Sequence, residues 1–334
     1  MNTASLHGKT IAITGVGGFI GARMIERARE IGMRVQGLDA SPAAADVARR
    51  LGAEVVVGDV NDRDAVARAS RGADVMFHTA AIIEEDGDMS LYRRVNVEGT
   101  RTVADVSRAE GVRQFVQLSS VMVYGFTFPP FVAEEGPFRG EGNPYCETKL
   151  ESDQVALEKH APGVFDVTVI RAGDVYGARS RPWVLRPMEL MRKRIFFLID
   201  GGRGTMNHVH VDNLLDAVFL SLEKRIAGQA FNVTDGARTT FADYFLRLAR
   251  MLGRKGLPSA PGSLVRGGFS FAGRVGARLG VRLPVSPAAV DFVCRPHPYG
   301  IDRARQVLGY EPRINLDQGM AAVERDLRAI GALR

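Results

Sequence analysis

Short apolar runs separated by amphipathic stretches of helical length set the rhythm of the first half of the chain. Residues 9–14 (KTIAIT) predict a short buried strand, and the glycine-rich turn after them leads into a helical pattern through Met24, Ile25 and Ala28. The alternation then repeats: a strand from Val35 to Leu38, a helix from Pro42, a strand from Glu54 to Val57, a helix from Arg63, a strand from Asp74 to Phe77. A longer helix ending near Glu110, a strand from Gln114 to Leu118, a helix from about Pro144 and a strand from Val167 to Arg171 complete the series. Strands joined by helices of this length cannot pair as hairpins, so the pattern predicts an α/β fold with a doubly wound parallel sheet. Beyond it the alternation fades into a helix around Val211 to Leu222, a strand from Ala230 to Val233, a helix with Thr240 as N-cap, and a last helix near Asp317 to Ile330. These predict a smaller C-terminal α/β lobe, while the Gly-, Pro- and Arg-rich stretch 253–298 yields no assignable element.

Composition narrows the class. Among 334 residues, 46% are hydrophobic and 25% charged, which suits a globular chain and excludes a disordered tail or a coiled coil. Apolar runs such as Ile195 to Ile199 fall far short of the roughly 20 residues that span a bilayer. The first fourteen residues lack a charged region ahead of an apolar one, so a cytoplasmic location is expected, with membrane association as the variant. Cys146 and Cys294 lie far apart without a second pair, which predicts reduced thiols and no metal site. The formal net charge of +6 concentrates between Arg254 and Arg313. A solvated basic face is the preferred reading, with no nucleic-acid partner, and attraction to anionic lipid or an acidic substrate is the alternative.

Candidate chemistry begins at Thr14-Gly15-Val16-Gly17-Gly18-Phe19-Ile20-Gly21, between the first strand and first helix. There Gly15 permits the tight turn, Gly18 the close approach of backbone to a pyrophosphate and Gly21 the packing of helix on sheet, with phosphate charge at the helix N-terminus. Asp39 ends the second strand, where a carboxylate accepts hydrogen bonds from both hydroxyls of an adenosine ribose and repels a 2′-phosphate. No basic residue follows in Ala40-Ser41-Pro42, so NAD is favoured over NADP. Asp59, after the third strand, is placed to accept from the adenine amino group. Tyr145 and Lys149 stand four apart on one helical face, downstream of Ser120 at a strand end. A phenol with an ordinary pKa near 10 needs help to move a proton at a carbinol carbon. Lys149 can supply a field and hold the ribose, and Ser120 can donate to the substrate oxygen.

In this order the residues resemble the extended short-chain dehydrogenase/reductase superfamily over nearly the whole chain. The resemblance implies a Rossmann-type NAD-binding domain over residues 1–175 and a mainly substrate-binding lobe over 176–334, with some segments returning to the first domain. It implies that Ser120, Tyr145 and Lys149 are catalytic. Gly15, Gly18, Phe19, Ile20, Gly21, Asp39, Asp59, Val60, Thr79, Ala80, Ala81, Lys149, Ala172 and Val175 are expected to meet the cofactor, and Ile82, Met122, Phe126 and Asp174 the substrate. Asn96 looks like the family's helix-stabilising asparagine, and His208 and His210 match the entry to a substrate-lobe helix, which makes them structural rather than metal ligands.

Within the superfamily, His78-Thr79-Ala80-Ala81-Ile82, Asn143-Pro144-Tyr145-Cys146 and Leu308-Gly309-Tyr310-Glu311-Pro312 look most like 3β-hydroxysteroid dehydrogenases and 4-carboxysterol 3-dehydrogenases. The expected function is interconversion of a secondary alcohol and ketone on a lipophilic, steroid-like small molecule, with decarboxylation if a 4-carboxylate is present. A nucleotide-sugar 4-epimerase or dehydratase is the enzyme alternative. In that branch an asparagine commonly stands where this chain has Asp174, whose carboxylate would oppose a pyrophosphate. A non-catalytic NAD(P)-binding regulator is the alternative of another class, usually marked by a lost Tyr or Lys. Phe126, Phe128, Pro129, Pro130, Phe131 and Phe138 suggest an apolar wall, either of a pocket or between lobes. Leu264, Val265, Phe269, Phe271, Val275, Leu279, Val281 and Leu283, interleaved with arginines, suggest a substrate cap or peripheral membrane contact. The resemblance also implies a homodimer.

Overall fold

The computed structural model describes residues 3–83, 87–268 and 287–333. Its strands are β1 (Thr10–Thr14), β2 (Arg34–Asp39), β3 (Glu54–Val57), β4 (Val75–His78), β5 (Gln114–Ser120), β6 (Asp166–Ala172), β7 (Asp174–Tyr176), β8 (Leu198–Ile199), β9 (His208–His210), β10 (Gln229–Val233) and β11 (Ser259–Ala260). Seven of them form one sheet in the order β10-β6-β5-β4-β1-β2-β3, with every neighbouring pair parallel. The winding reverses between β1 and β4, and in such sheets the crevice outside the strand ends at this switch point receives the ligand.

Burial on both faces explains why β1 and β4 read as nearly continuous apolar runs, while β5, equally buried, also carries Gln114, Gln117, Ser119 and Ser120. Alternate side chains still go to opposite cores. Ile11 and Ile13 pack with Met24, Ile25 and Ala28 of α1 (Phe19–Glu30) and with Leu214, Leu215 and Val218 of a later helix, whereas Ala12 joins the core under Val66 and Val103 on the other face. The intervening helices are α2 (Pro42–Arg50), α3 (Arg63–Ser70), α4 (Met89–Tyr92), α5 (Gly99–Ala109) and α6 (Pro144–Glu158).

The helix expected to end near Glu110 is interrupted. A π-helical turn, Arg93–Glu98, separates α4 from α5. Inside it the Asn96 amide donates to the Ile82 oxygen (3.1 Å) and to Thr148 Oγ1 (3.0 Å), and its oxygen accepts from the Ile82 N–H (2.8 Å). The widened turn thus places one side chain where it ties the loop after β4 to α6.

After Tyr176 the chain builds a smaller lobe but keeps returning to the sheet. α7 (Arg186–Arg192), α9 (Phe241–Met251) and the helix Leu316–Ala329 gather around Tyr176, Met188, Met206, Tyr244, Leu248 and Val323. In contrast, α8 (Val211–Lys224) covers one face of the large sheet and β10 extends its edge. Thr240 caps α9 in a reciprocal box with Asp243. Among the described residues no helix is long and apolar enough to cross a membrane.

Candidate active site

The turn after β1 is built for close approach. Gly15 has φ +66°, and a Cβ there would lie 3.1 Å from both Ala80 Cα and Thr79 Oγ1. A Cβ on Gly21 would meet the Gly15 oxygen at 2.5 Å, which is why α1 can lean on the turn. Gly18 is the N-cap of α1 and no side chain caps that end, so the first-turn amides point at whatever occupies the crevice. Asp39 reaches into the same turn: its Oδ2 accepts from the Gly17 N–H (3.0 Å) and its Oδ1 from the Ser41 N–H (3.0 Å). Gly17 itself, which the glycine spacing did not single out, leaves room for α2, since a Cβ there would stand 2.1 Å from the Ala44 oxygen.

The loop after β4 is held from below by a buried chain of hydroxyls and imidazole. Thr100 Oγ1 donates to the Asn96 oxygen (2.7 Å), so it accepts from His78 Nε2 (3.1 Å), and His78 Nδ1 accepts from Thr14 Oγ1 (2.6 Å). The Thr14 oxygen then receives the amides of Thr79 (3.2 Å) and Ala80 (3.3 Å). Burial, reinforced by Lys149, pushes the His78 imidazole down to about 3, which suits this neutral tautomer.

A cavity of about 600 Å³ opens above these turns. It is lined by Gly15, Gly18, Phe19, Ile20, Gly21 and Asp39 at one end, by Thr79, Ala80 and Ala81 beneath, and by Ser120, Tyr145, Lys149, Ala172 and Val175 beyond. Met122, Phe126 and Asp174 line it as well. Three expected residues lie outside its lining. Asp59 is exposed and its Oδ1 accepts from Asn61; Val60 is buried beneath Gly99; and Ile82 is held through its backbone by Asn96. Ile83 lines the cavity in place of Ile82.

Tyr145 and Lys149 arrive on α6, whose start is set by Asn143: its side chain accepts from the amides of Tyr145 (3.0 Å) and Cys146 (3.1 Å), with Pro144 at the first position. The helix buries a polar face of Thr148, Lys149, Ser152 and Asp153 against the sheet. Lys149 Nζ donates to the Leu118 oxygen at 2.9 Å, and burial pushes the amine down to about 8. Ser120 Oγ accepts from the Met122 N–H (3.2 Å), which leaves its own proton free for another acceptor. Burial pushes the Tyr145 phenol up to about 12, the nearby Ser120 hydroxyl opposes this, and the charges of Asp153 and Asp174 add to the rise. Behind α6, Asp153 Oδ2 pairs with Arg171 Nε at 2.8 Å, and Arg171 also donates to Tyr124 Oη (2.8 Å) and the Glu134 oxygen (2.7 Å).

The opposite wall departs from expectation in two ways. The aromatic run before α6 divides: Phe126 reaches the cavity, Phe128 stacks on Tyr299 with centroids 4.3 Å apart, Phe138 stacks on Tyr124, and Phe131 is exposed under Arg238. One member of the run, Phe126, therefore serves the pocket and one, Phe128, packs between lobes. The carboxylate of Asp174, expected to stand as an opposing charge, is neutralised by the buried guanidinium of Arg295 and accepts the Asn207 N–H at 3.0 Å. Pro182, Trp183 and Phe292 complete the wall, Trp183 stacking on Phe292 with centroids 5.7 Å apart. No spacing pattern could have found them, because Pro182 and Trp183 lie on one element of the small lobe and Phe292 on another, more than a hundred residues later.

Among the described residues, part of the basic excess is paired with acids. Arg266 pairs with Asp291, Arg303 with Glu134 and Glu135, and Arg313 with Asp216. Leu264 is exposed and Val265 half-buried, while the rest of the apolar run proposed as cap or membrane contact lies outside the described residues. His208 bonds Asp235 (2.9 Å) and Thr239 (2.8 Å), and His210 Nδ1 accepts from the Asp212 N–H (3.2 Å) at the start of α8.

A doubly wound parallel sheet, with this turn at its switch point, defines an NAD-dependent enzyme of the extended short-chain dehydrogenase/reductase type. The chain belongs to the NAD dependent epimerase/dehydratase family, whose model matches residues 11–234. It is 27% identical over 325 residues to a 4-hydroxy-2-methyl-3-oxo-4-farnesyl-3,4-dihydroquinoline-1-oxide ketoreductase of Stigmatella aurantiaca, covering 94% of this chain and 95% of that protein. It is 28% identical over 329 residues to a 3-beta-hydroxysteroid dehydrogenase of Mycolicibacterium neoaurum, covering 93% of this chain and 89% of that one. The dTDP-glucose 4,6-dehydratase of Streptomyces venezuelae shares the fold, with a TM-score of 0.76 at 22% identity, over 96% of this chain and 97% of the other.

Proposed function

We propose that the protein is a dehydrogenase or reductase that interconverts a secondary alcohol and a ketone on a lipophilic, ring-bearing small molecule, using NAD rather than NADP. The observation that carries this reading is the substrate half of the cavity: Met122, Phe126, Trp183, Phe292 and Ile83 make it mostly apolar, the buried cation Arg295 is committed to Asp174, and the lining arginines Arg179 and Arg181 pair with Glu26 and Glu189. A sugar nucleotide would bring a diphosphate to a wall whose buried arginine is spoken for. The names of the Stigmatella and Mycolicibacterium relatives, a farnesyl-dihydroquinoline ketoreductase and a hydroxysteroid dehydrogenase, support the same substrate class.

The cavity fits the cofactor. Glycines stand where a Cβ would collide, the α1 N-terminus has uncapped amides, and Asp39 waits at the end of β2. When bound, NAD supplies or accepts the hydride. In the reductive direction Tyr145 Oη donates its proton to the oxygen of the reacting carbonyl, and Ser120 Oγ donates a hydrogen bond to that same oxygen as charge develops on it. In the oxidative direction Tyr145 takes the alcohol proton, and Lys149, as ammonium, stabilises the phenolate while holding the ribose. The glycine turn, Phe19, Ile20, Thr79, Ala80, Ala81, Ala172 and Val175 enclose the cofactor, and Asp59 and Val60 serve its adenine end. The aromatic wall excludes water from the reacting carbon.

The test sets NADH release on a panel of 3β-hydroxysteroids and other polycyclic secondary alcohols beside an epimerisation assay with UDP-sugars, on one preparation. Alcohol-dependent NADH release is expected. Epimerisation without net NADH would replace this reading with the sugar-nucleotide one.

A further inference from the structure

Arg295 is fully buried, yet it touches three residues that line the cavity. Its Nη2 meets Asp174 Oδ2, its Nη1 lies 3.8 Å from Met122 Sδ, and its guanidinium carbon sits 4.0 Å from the Phe292 ring centroid. Nε adds a bond to the Thr205 oxygen at 3.3 Å. Asp174 is itself only 5% exposed and lines the same cavity. Both of its carboxylate bonds, from Arg295 and from the Asn207 N–H, fall on Oδ2, and among the described residues no donor meets Oδ1. The strand register brings Asp174 to the end of the sheet that carries Ser120. Ser120 is paired with Ala172, so Asp174 follows two residues past the strand partner of Ser120.

We propose that Asp174 selects the substrate through Oδ1, which accepts a hydrogen bond from a hydroxyl or N–H on or next to the ring atom that reacts, and that Arg295 is the positioning residue that holds this oxygen in place. The substrate class is a flat polycyclic ketone or alcohol with a neutral donor beside the reacting carbon, such as an acyloin or a vicinal diol. An anionic group at that position would meet an acceptor oxygen and no donor, since the Arg295 guanidinium bonds on Oδ2. The same guanidinium braces Met122 and Phe292, so the polar contact and the apolar wall are set by one side chain. This rests on the dehydrogenase reading above, since it takes the reacting carbon to lie at Ser120 and Tyr145.

Trp183 is the chain's single tryptophan and lines the cavity, so its fluorescence reports binding without turnover. The probes are a polycyclic acyloin and its methyl ether, titrated in the presence of NAD. The wild-type protein should bind the acyloin about ten- to hundredfold more tightly, the range of a hydrogen bond to a charged group. In the double variant Asp174→Leu with Arg295→Met, an apolar replacement of similar volume that buried ion pairs often tolerate, the two probes should bind alike, both at the strength the altered wall allows. Asp174→Asn, which keeps an acceptor oxygen without the charge, should fall between. Equal affinity of the two probes in the wild-type protein would overturn the proposal, as would a preference that survives the double variant. Selective binding of the acyloin by a protein that oxidises or reduces no member of the panel would instead sink the dehydrogenase reading and leave this subsite standing.

Discussion

Lys149 Nζ is tethered to the main-chain oxygen of Leu118 at 2.9 Å, which binds α6 to the strand that carries Ser120 two residues later. The contact fixes the lysine beside Tyr145 before any ligand enters. With the Tyr145 phenol pushed up to about 12 and the Lys149 amine down to about 8, the phenol is protonated near neutrality. Tyr145→Phe should therefore lower turnover by about 10²–10⁴, the usual share of general acid–base catalysis, and leave NAD affinity nearly unchanged. Lys149→Met should lower both. Steady-state rates alongside NAD titration separate the two, and retained turnover in Tyr145→Phe would remove Tyr145 from its role.

The imidazole of His78 should make the fold acid-sensitive. Its folded value of about 3 lies below the ordinary 6.5, so the unfolded chain binds this proton more readily over the interval between them. The contribution is fully present above 6.5 and drains away as pH falls toward 3. Thermal midpoints of the wild-type protein and His78→Gln, compared near neutrality and near pH 4, should show the smaller acid-induced loss in the variant. Parallel curves would mean that His78 does not titrate on unfolding.

Asp39 has two tasks, receiving the Gly17 and Ser41 amides and facing the cavity with its charge. Asp39→Asn should reduce the preference for NAD over NADP at least tenfold, because it removes the like-charge repulsion of a 2′-phosphate while keeping an acceptor for the turn. Kd values for the two cofactors decide it, and an unchanged ratio would place the discrimination elsewhere.

Packing at the turn gives a stability prediction. A methyl at Gly17 would overlap the Ala44 main-chain oxygen at 2.1 Å, and backbone cannot rotate away as a side chain would. Gly17→Ala should cost on the order of 1–3 kcal/mol in urea unfolding and weaken NAD binding as α2 is displaced. Wild-type stability in this variant would show that the loop has room to spare.

The two phenylalanines of the divided aromatic run should behave differently. Phe126 lines the cavity and Phe131 is 54% exposed, away from it. Phe126→Ala should raise KM for lipophilic alcohols by about tenfold or more, the value of a buried aromatic side chain, whereas Phe131→Ala should leave KM as it is. Equal effects would return the whole run to a single wall.

Local pattern by itself determined the alternating strands and helices, the glycine turn after β1, and the partnership of Tyr145 with Lys149. Each depends on spacing within one element or across one turn: strands buried on both faces are rich in apolar residues, a tight turn needs glycine, and residues four apart share a helical face. The interrupted helix around Asn96 escaped that reading because its cause, the clamp on Ile82 and Thr148, spans three segments of the chain. The character of the cavity wall was decided only by tertiary structure. Asp174 and Arg295 lie 121 residues apart, and Trp183 meets Phe292 across the small lobe. Nothing in the neighbourhood of Asp174 reveals that its charge is cancelled, because a buried carboxylate takes its properties from whichever distant group the fold brings against it.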